Sequence, residues 1–407
     1  MKRLLFILFL IGSIGLSAQT YYISPNGDDS DGLTPATAWN SPYELDEIDF
    51  DTALIERGYN YRIESPIDIT SDGISSEYVY VGSYGSGDLP RILCSDSIIG
   101  WTEVQTNVWA CSNTIANPIT NSWGATCFLE EISRDTVHWG WYVNYDASYS
   151  ELDSLTKWCW NNNTIYTYAT ENPANIWGSF EAPVRTRAFR IDDASYIHFD
   201  SIAIHYGILG CITDGNAAND VYQIWGLKVS NCHFSHVATK GSSYGYALES
   251  HHSDVHIYNN EIHDAGRRNI SLTMYNTTNS ITCENILVEH NHLHDGWHTT
   301  GLDCIIADGG GHLIDSVIFR YNFVEGSRDV EINLTSGDYN DNPPSNHIYF
   351  SNQTGGNGGR INRVYVYNNV TTYSTGKHVV LAQVDTGWVV NNTFYDHNYH
   401  TPDPLRS

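Results

Sequence analysis

The stretch Thr299 to Gly311, "TTGLDCIIADGGG", sets one carboxylate, Asp303, inside an apolar run bounded by glycines. Glu331 in "VEINLT" and Glu249 in "YALESH" stand in similar apolar surroundings. Carboxyl groups brought together on one surface repel, so one of them keeps its proton to higher pH. That division of labour is what acid and base, or acid and nucleophile, need at a glycosidic bond. Asp303, Glu331 and Glu249 are therefore the candidate catalytic residues. Arg267 and Arg268 in "HDAGRRN", Trp297 and His298 in "HDGWHTTG", His251 in "ESHHSD" and Asp308 in "ADGGGH" are the candidate substrate contacts, since cationic, aromatic and imidazole groups suit sugar stacking and proton transfer.

These residues need a frame that repeats. From about residue 184 the units "LKVSNCHFSHV", "VHIYNNEIHDAG", "ILVEHNHLHDGW", "VIFRYNFVEGS", "VYVYNNVTTYS" and "WVVNNTFYDHN" align on Cys232, Asn260, Asn291, Asn322, Asn369 and Asn392, at spacings of 28, 31, 31, 47 and 23 residues. Alternating strands around a recurrent Asn turn predict an all-β, right-handed parallel β-helix. Strands of successive coils then stack about 4.8 Å apart. The repeated Asn is read as structural, its amides bonding from coil to coil and tolerating a left-handed turn. The 47-residue interval must leave the helix as a long loop, placed here directly after the strand with Glu331.

Apolar alternation aligns the strands that would carry the site. With Ile270, Leu272 and Met274 inward, their partners are Leu302, Cys304 and Ile306, then Val330, Ile332 and Leu334. Ser271, Asp303 and Glu331 form one outward column, and Glu249 falls in the next, beside Thr273 and Ile305. Asp303 with Glu331 at about 5 Å suits a retaining glycosidase, whereas Glu249 with Asp303, two coils apart, suits an inverting one. The bland alternatives are explicit. Asp303 and Glu331 would merely solvate an exposed sheet face, Arg267 and Arg268 would pair with surface carboxylates, and no metal is expected. "EHNHLHD" looks like a ligand triplet, but strand alternation and the turn at Asn291 split its histidines between faces. His263, His294 and Glu325 fall in one column away from the proposed cleft.

The rest of the chain bounds the reading. Of 407 residues only 16% are charged and 13% are aromatic, with 28 Tyr and 33 Gly, as expected of a folded, strand-rich protein. A basic start (Lys2, Arg3), an apolar run to about Leu16 and small residues at Ser17 and Ala18 read as a secretory signal over 1–18, too short to span a bilayer. Residues 19–100 are expected to form an N-terminal cap and the first coils, 101–182 a small inserted β module, and 183–407 the main coils. No cap is evident at "HTPDPLRS", so further coils are expected beyond it. All eight cysteines follow the signal and enter an oxidising compartment; Cys94 with Cys111 is a candidate bridge, and Cys232 and Cys304 are read as buried. The formal charge of −27 opposes nucleic acid and anionic lipid. The expected partner is an extracellular polysaccharide met by a secreted or surface-located monomer without membrane insertion. No cofactor is required; Ca²⁺ is the ion that the acidic "NGDDSDG" would accept, although its spacing misses the EF-hand pattern.

The opening "YYISPNGDDSDGLTPATAWNS", the segment "EYVYVGSYGSGDLPRI", the link "SYIHFDSIAIHYG" and the coils resemble secreted bacterial right-handed parallel β-helix proteins of the polysaccharide hydrolase and lyase type. The resemblance implies a glycan-active enzyme, with hydrolysis ahead of elimination. "GLDCIIA" resembles the "GDDC" strand of polygalacturonases and carries over Asp303 alone, because Leu302 replaces the first Asp and "GGGH" ending at His312 is not their later "GHG". A lyase would use Lys240, Arg267, Arg268 or His251 to meet a uronate. A noncatalytic glycan-binding or adhesive β-helix is the reading from another class.

Overall fold

Strands such as Ser253–Tyr258, with Val255 and Ile257 buried, show why the chain coils: alternate apolar side chains need a common interior. A computed structural model describes residues 19–46, 48–112, 126–132, 136–191, 193–214, 224–238, 245–274, 280–296, 299–306, 311–326, 346–353, 358–374 and 376–397. Its strands form three long parallel sheets of ten, nine and eight strands, each visited once per coil. One coil runs through Ser253–Tyr258 in the first sheet, Glu261–Ala265 in the second and Arg268–Met274 in the third, and the next begins at Thr282–Glu289. The fold is a parallel β-helix.

Inside it a single apolar column extends from Ile23 to Val366. Leu248, Ile270, Leu302 and Ile348 lie in register on adjacent strands, as do Leu272, Cys304 and Phe350. All are essentially sealed from solvent, each contributing about 1.5–3 kcal/mol. The inward set assigned from alternation is thus observed for Ile270, Leu272, Met274, Leu302, Cys304 and Ile306. The next strand of this sheet differs: it is Asn346–Asn352, not the "VEINLT" segment, so Ile348 and Phe350 take the places given to Val330 and Ile332. Both segments alternate, and the additional residues of the 47-residue interval precede the strand that pairs.

The Asn ladder is built as hydrogen bonds between coils. The Nδ2 groups of Asn260, Asn291, Asn322 and Asn369 each donate to the Oδ1 of the next, at 2.9, 3.0, 3.2 and 2.9 Å, and Asn260 Oδ1 accepts the Cys232 N–H at 2.9 Å. The left-handed turn lies one residue earlier than expected, at Asn231, Asn259, His290, Tyr321, Asn368 and Asn391, with φ between 53° and 58°. The ladder Asn is free to point inward because its neighbour absorbs the turn.

Strands from Ser95–Ser97 to Trp177–Pro183 form two smaller sheets outside the coil, mostly antiparallel. Arg62 from a coil strand grips Glu181 with two bonds of 2.7 Å, Arg91 pairs with Glu130 at 3.0 Å, and Trp139 donates to Asp264 at 3.1 Å. These contacts seat the smaller sheets against the second long sheet. All eight cysteines are buried, and the Cys94–Cys111 bridge is not formed: Cys94 lies in the coil interior and Cys111 in the core of the smaller sheets.

Candidate functional site

The outward face of the third sheet gathers the carboxylates. Thr213, Glu249, Ser271, Asp303 and Tyr349 stand in register on five successive strands. Glu249 therefore shares the Asp303 column rather than the neighbouring one, a slip of two residues that leaves its face unchanged. Its separation from Asp303 is two strand steps, about 9.6 Å between backbones. The place beside Asp303 on the far side is held by Tyr349 and not by Glu331. Glu331, Trp297, His298 and Asp308 lie outside the described residues.

Asp303 faces away from the core yet is 0% exposed, so it is not the solvated side of a strand. Every position of Arg268–Met274 and Thr299–Ile306 is buried, which means this face is covered as well as the interior one. Arg268, 2% exposed, forms an ion pair from Nε to Asp303 Oδ2. Neither Asp303 oxygen receives a well-directed hydrogen bond among the described residues. Burial pushes the Asp303 carboxyl up to about 6, against the opposing charges of Arg268 and then Arg267. Arg268 is held by Nη1, which donates to Thr273 Oγ1 at 3.2 Å and Tyr246 Oη at 3.3 Å. Its guanidinium also lies 5.2 Å over the Tyr246 ring. Ser271, between the two carboxylates, bonds Thr273 at 2.8 Å.

Glu249 is the partly exposed end of its strand. Burial raises its pKa, and the nearby Asp214 charge adds to that, against His251, Arg187 and Arg268. His251 is buried with both ring nitrogens engaged: Nδ1 meets Asp214 Oδ2 at 3.2 Å and Nε2 donates to the Thr273 carbonyl. Burial opposes its charge, but the bond to Asp214 prevails and raises it to about 9. His252 stands 3.3 Å from the other Asp214 oxygen, and its own Nε2 reaches the Ala194 carbonyl at 3.0 Å.

Asp214 was missed from sequence. It ends the strand Gly210–Asp214, whose Ile212 and Thr213 continue the same inward and outward alternation, and that alternation was the available signal. Although burial opposes ionisation, the two imidazoles hold its carboxyl well below the usual range.

The second sheet carries a separate row of imidazoles. His263, His294 and Glu325 stand in register as expected, with His263 stacked on His294 at 4.4 Å. The split expected for "EHNHLHD" holds only for His290, which occupies the turn; His292 and His294, two apart on one strand, share the outward face. The acidic turn "NGDDSDG" is engaged locally, Asp29 accepting the Asn40 N–H at 2.9 Å and Asp31 that of Leu33 at 3.0 Å.

No protein-family model and no curated protein matches the chain. Among solved structures, XylC in complex with xylose is 12% identical over 90% of this chain and 67% of its own, with a TM-score of 0.49. The GH136 lacto-N-biosidase from Eubacterium ramulus is 12% identical over 92% and 68%, with a TM-score of 0.41. A further glycoside hydrolase is 11% identical over 93% and 96%, with a TM-score of 0.42. At these scores none of them transfers an activity or a substrate.

Proposed function

We propose that the chain hydrolyses glycosidic bonds of an extracellular polysaccharide, with Asp303 as general acid and Glu249 as general base. The observation that carries this reading is the column itself: two carboxylates, Asp303 buried and Glu249 half-buried, both raised, two strands apart on one face. That spacing favours an inverting reaction, because water must fit between base and sugar. Asp303 gives its proton to the leaving oxygen while Glu249 takes one from the attacking water; the old C–O bond breaks as a new one forms on the opposite face. Arg268 then stabilises the aspartate anion that the step creates. Because Asp303 is covered, substrate reaches it only when this face opens, with Arg268 staying beside the carboxylate.

A net charge of −27 favours neutral over acidic glycans, and the basic-then-apolar start supports export. The test is release of reducing ends from neutral and uronic glycans by the wild-type chain and by Asp303→Asn and Glu249→Gln. Loss in both supports the pair. An unsaturated uronate product that survives both substitutions moves the reaction to elimination, and retained binding without any release moves the protein to the adhesive class.

A further inference from the structure

The structure assigns a zinc-class divalent cation to a second site, on the outward face of the second sheet, held by Glu261, His292 and His294. Glu261 and His292 are register partners in adjacent coils, and His294 lies two residues along the same face. His294 Nε2 is 3.6 Å and His292 Nδ1 3.8 Å from the same oxygen, Glu261 Oε1. Donor atoms around a tetrahedral zinc, with bonds of about 2.0–2.1 Å, stand roughly 3.4 Å apart. Two imidazoles and one carboxylate select zinc-like ions over Ca²⁺ and Mg²⁺, which want oxygen. Three protein ligands leave a fourth position for water or another small ligand.

The ring edges point to a ligand. His294 Nδ1 is engaged with Asp295 Oδ2 at 2.8 Å, and Asp295 takes a left-handed φ of 50° that turns it back onto the ring. A carboxylate so placed fixes the tautomer and directs the Nε2 lone pair outward, as around metal-bound imidazoles. His294 Nε2, the atom that faces Glu261, is buried with no hydrogen-bond partner among the described residues, while His292 turns Nδ1 to the same Glu261 oxygen and its Nε2 stands 3.9 Å from Glu325 Oε2. A proton on His294 Nε2 would answer Glu261 Oε1 but would leave His292 Nδ1 facing the same oxygen at 3.8 Å. Stacking accounts for the ring faces only: His294 lies on His263, and His292 on Phe323 at 5.1 Å. The side chains of Glu261 and His292 are 49% and 40% exposed, so an ion can enter from solvent.

A neighbouring group, His236, His263 and Asp264, has comparable composition but a different state. His263 bonds His233 and Asp264, both at 2.7 Å, His236 bonds Ser235 at 2.6 Å, and Trp139 donates to Asp264. Both ring nitrogens of His263 are thus engaged and Asp264 already accepts two bonds, which leaves only His236 Nε2, 3.7 Å from Asp264 Oδ2.

The test is calorimetric titration of the chelator-treated full chain with ZnCl2, and with CaCl2 and MgCl2 in parallel. One equivalent of Zn²⁺ is expected, without matching Ca²⁺ or Mg²⁺ binding. Affinity should fall at least about tenfold in Glu261→Gln, His292→Ala and His294→Ala, and roughly 10–100-fold in Asp295→Asn. Circular dichroism melts of the metal-free variants report folding; should His294→Ala fail to fold, the solvent-facing His292→Ala carries the test. Absence of Zn²⁺ binding, affinity unchanged in Glu261→Gln and His292→Ala, or loss confined to His236→Ala would overturn the assignment.

Discussion

Asp214 and Asp303 are both buried aspartates at the third sheet, and they end in opposite states. Asp214 Oδ2 accepts from the His251 backbone N–H and meets its ring, while Oδ1 stands 3.3 Å from His252 in an ion pair without a hydrogen bond, so two imidazoles oppose its charge. Asp303 pairs with Arg268, with the Arg267 charge also acting on it, but receives no well-directed hydrogen bond among the described residues, and burial takes its carboxyl up to about 6. The degree of burial is the same; the number and direction of partners is not. A buried carboxylate becomes a structural anion when donors converge on it and a proton donor when they do not.

The largest test of that contrast is on activity. Asp303→Asn and Glu249→Gln should each lower glycan hydrolysis by about 10²–10⁴, measured as reducing ends released, while Asp214 substitutions should act through stability. Next, Asp214→Ala removes the acceptor of the His251 backbone N–H and the carboxylate between two buried imidazoles, and should cost about 1–3 kcal/mol for each buried donor left unsatisfied, read in urea unfolding.

The pH dependence of stability should carry opposite signs at the two residues. Asp303 holds its proton in the folded state at a pH where the unfolded chain releases it. Its stabilising contribution is therefore complete below about pH 4 and is lost as pH rises through about 6, a change on the order of 3 kcal/mol. Asp214, lowered in the fold, contributes stability above the ordinary carboxylate range that is lost as pH falls. Unfolding midpoints from pH 4 to 7 should lose the first slope in Asp303→Asn and keep it in Asp214→Asn. The smallest effect is expected from Arg268→Met: with the opposing cation gone, the Asp303 pKa should climb by about one unit, shifting the acid-dependent limb of activity to higher pH.

Much of this architecture was legible because β-helices repeat their reasons. Alternation placed Leu302, Cys304 and Ile306 inward and Asp303 outward, and the repeated Asn predicted a ladder that is built from amide bonds. The His263, His294 and Glu325 column followed from the same spacing. What alternation cannot supply is what covers a face. It gives the side of the strand, whereas the burial of Asp303 and its pairing with Arg268 show only in the folded chain. Nor can it choose between two alternating segments within one long interval, which is how the place beside Asp303 went to Glu331 instead of Tyr349. The turn falls one residue before the ladder Asn whether that residue is Asn, as at Asn259, Asn368 and Asn391, or His290 or Tyr321, so the preference of Asn for a left-handed φ could not locate it.

The most direct test of the central claim needs no substrate: a ¹³C titration of the aspartate carboxyl groups in the full chain, with Asp303→Asn supplying the assignment. A resonance titrating near pH 6 that vanishes in the variant is the predicted result. A resonance for Asp303 titrating below about pH 4 would contradict the account, making it an ion-paired anion of the same kind as Asp214.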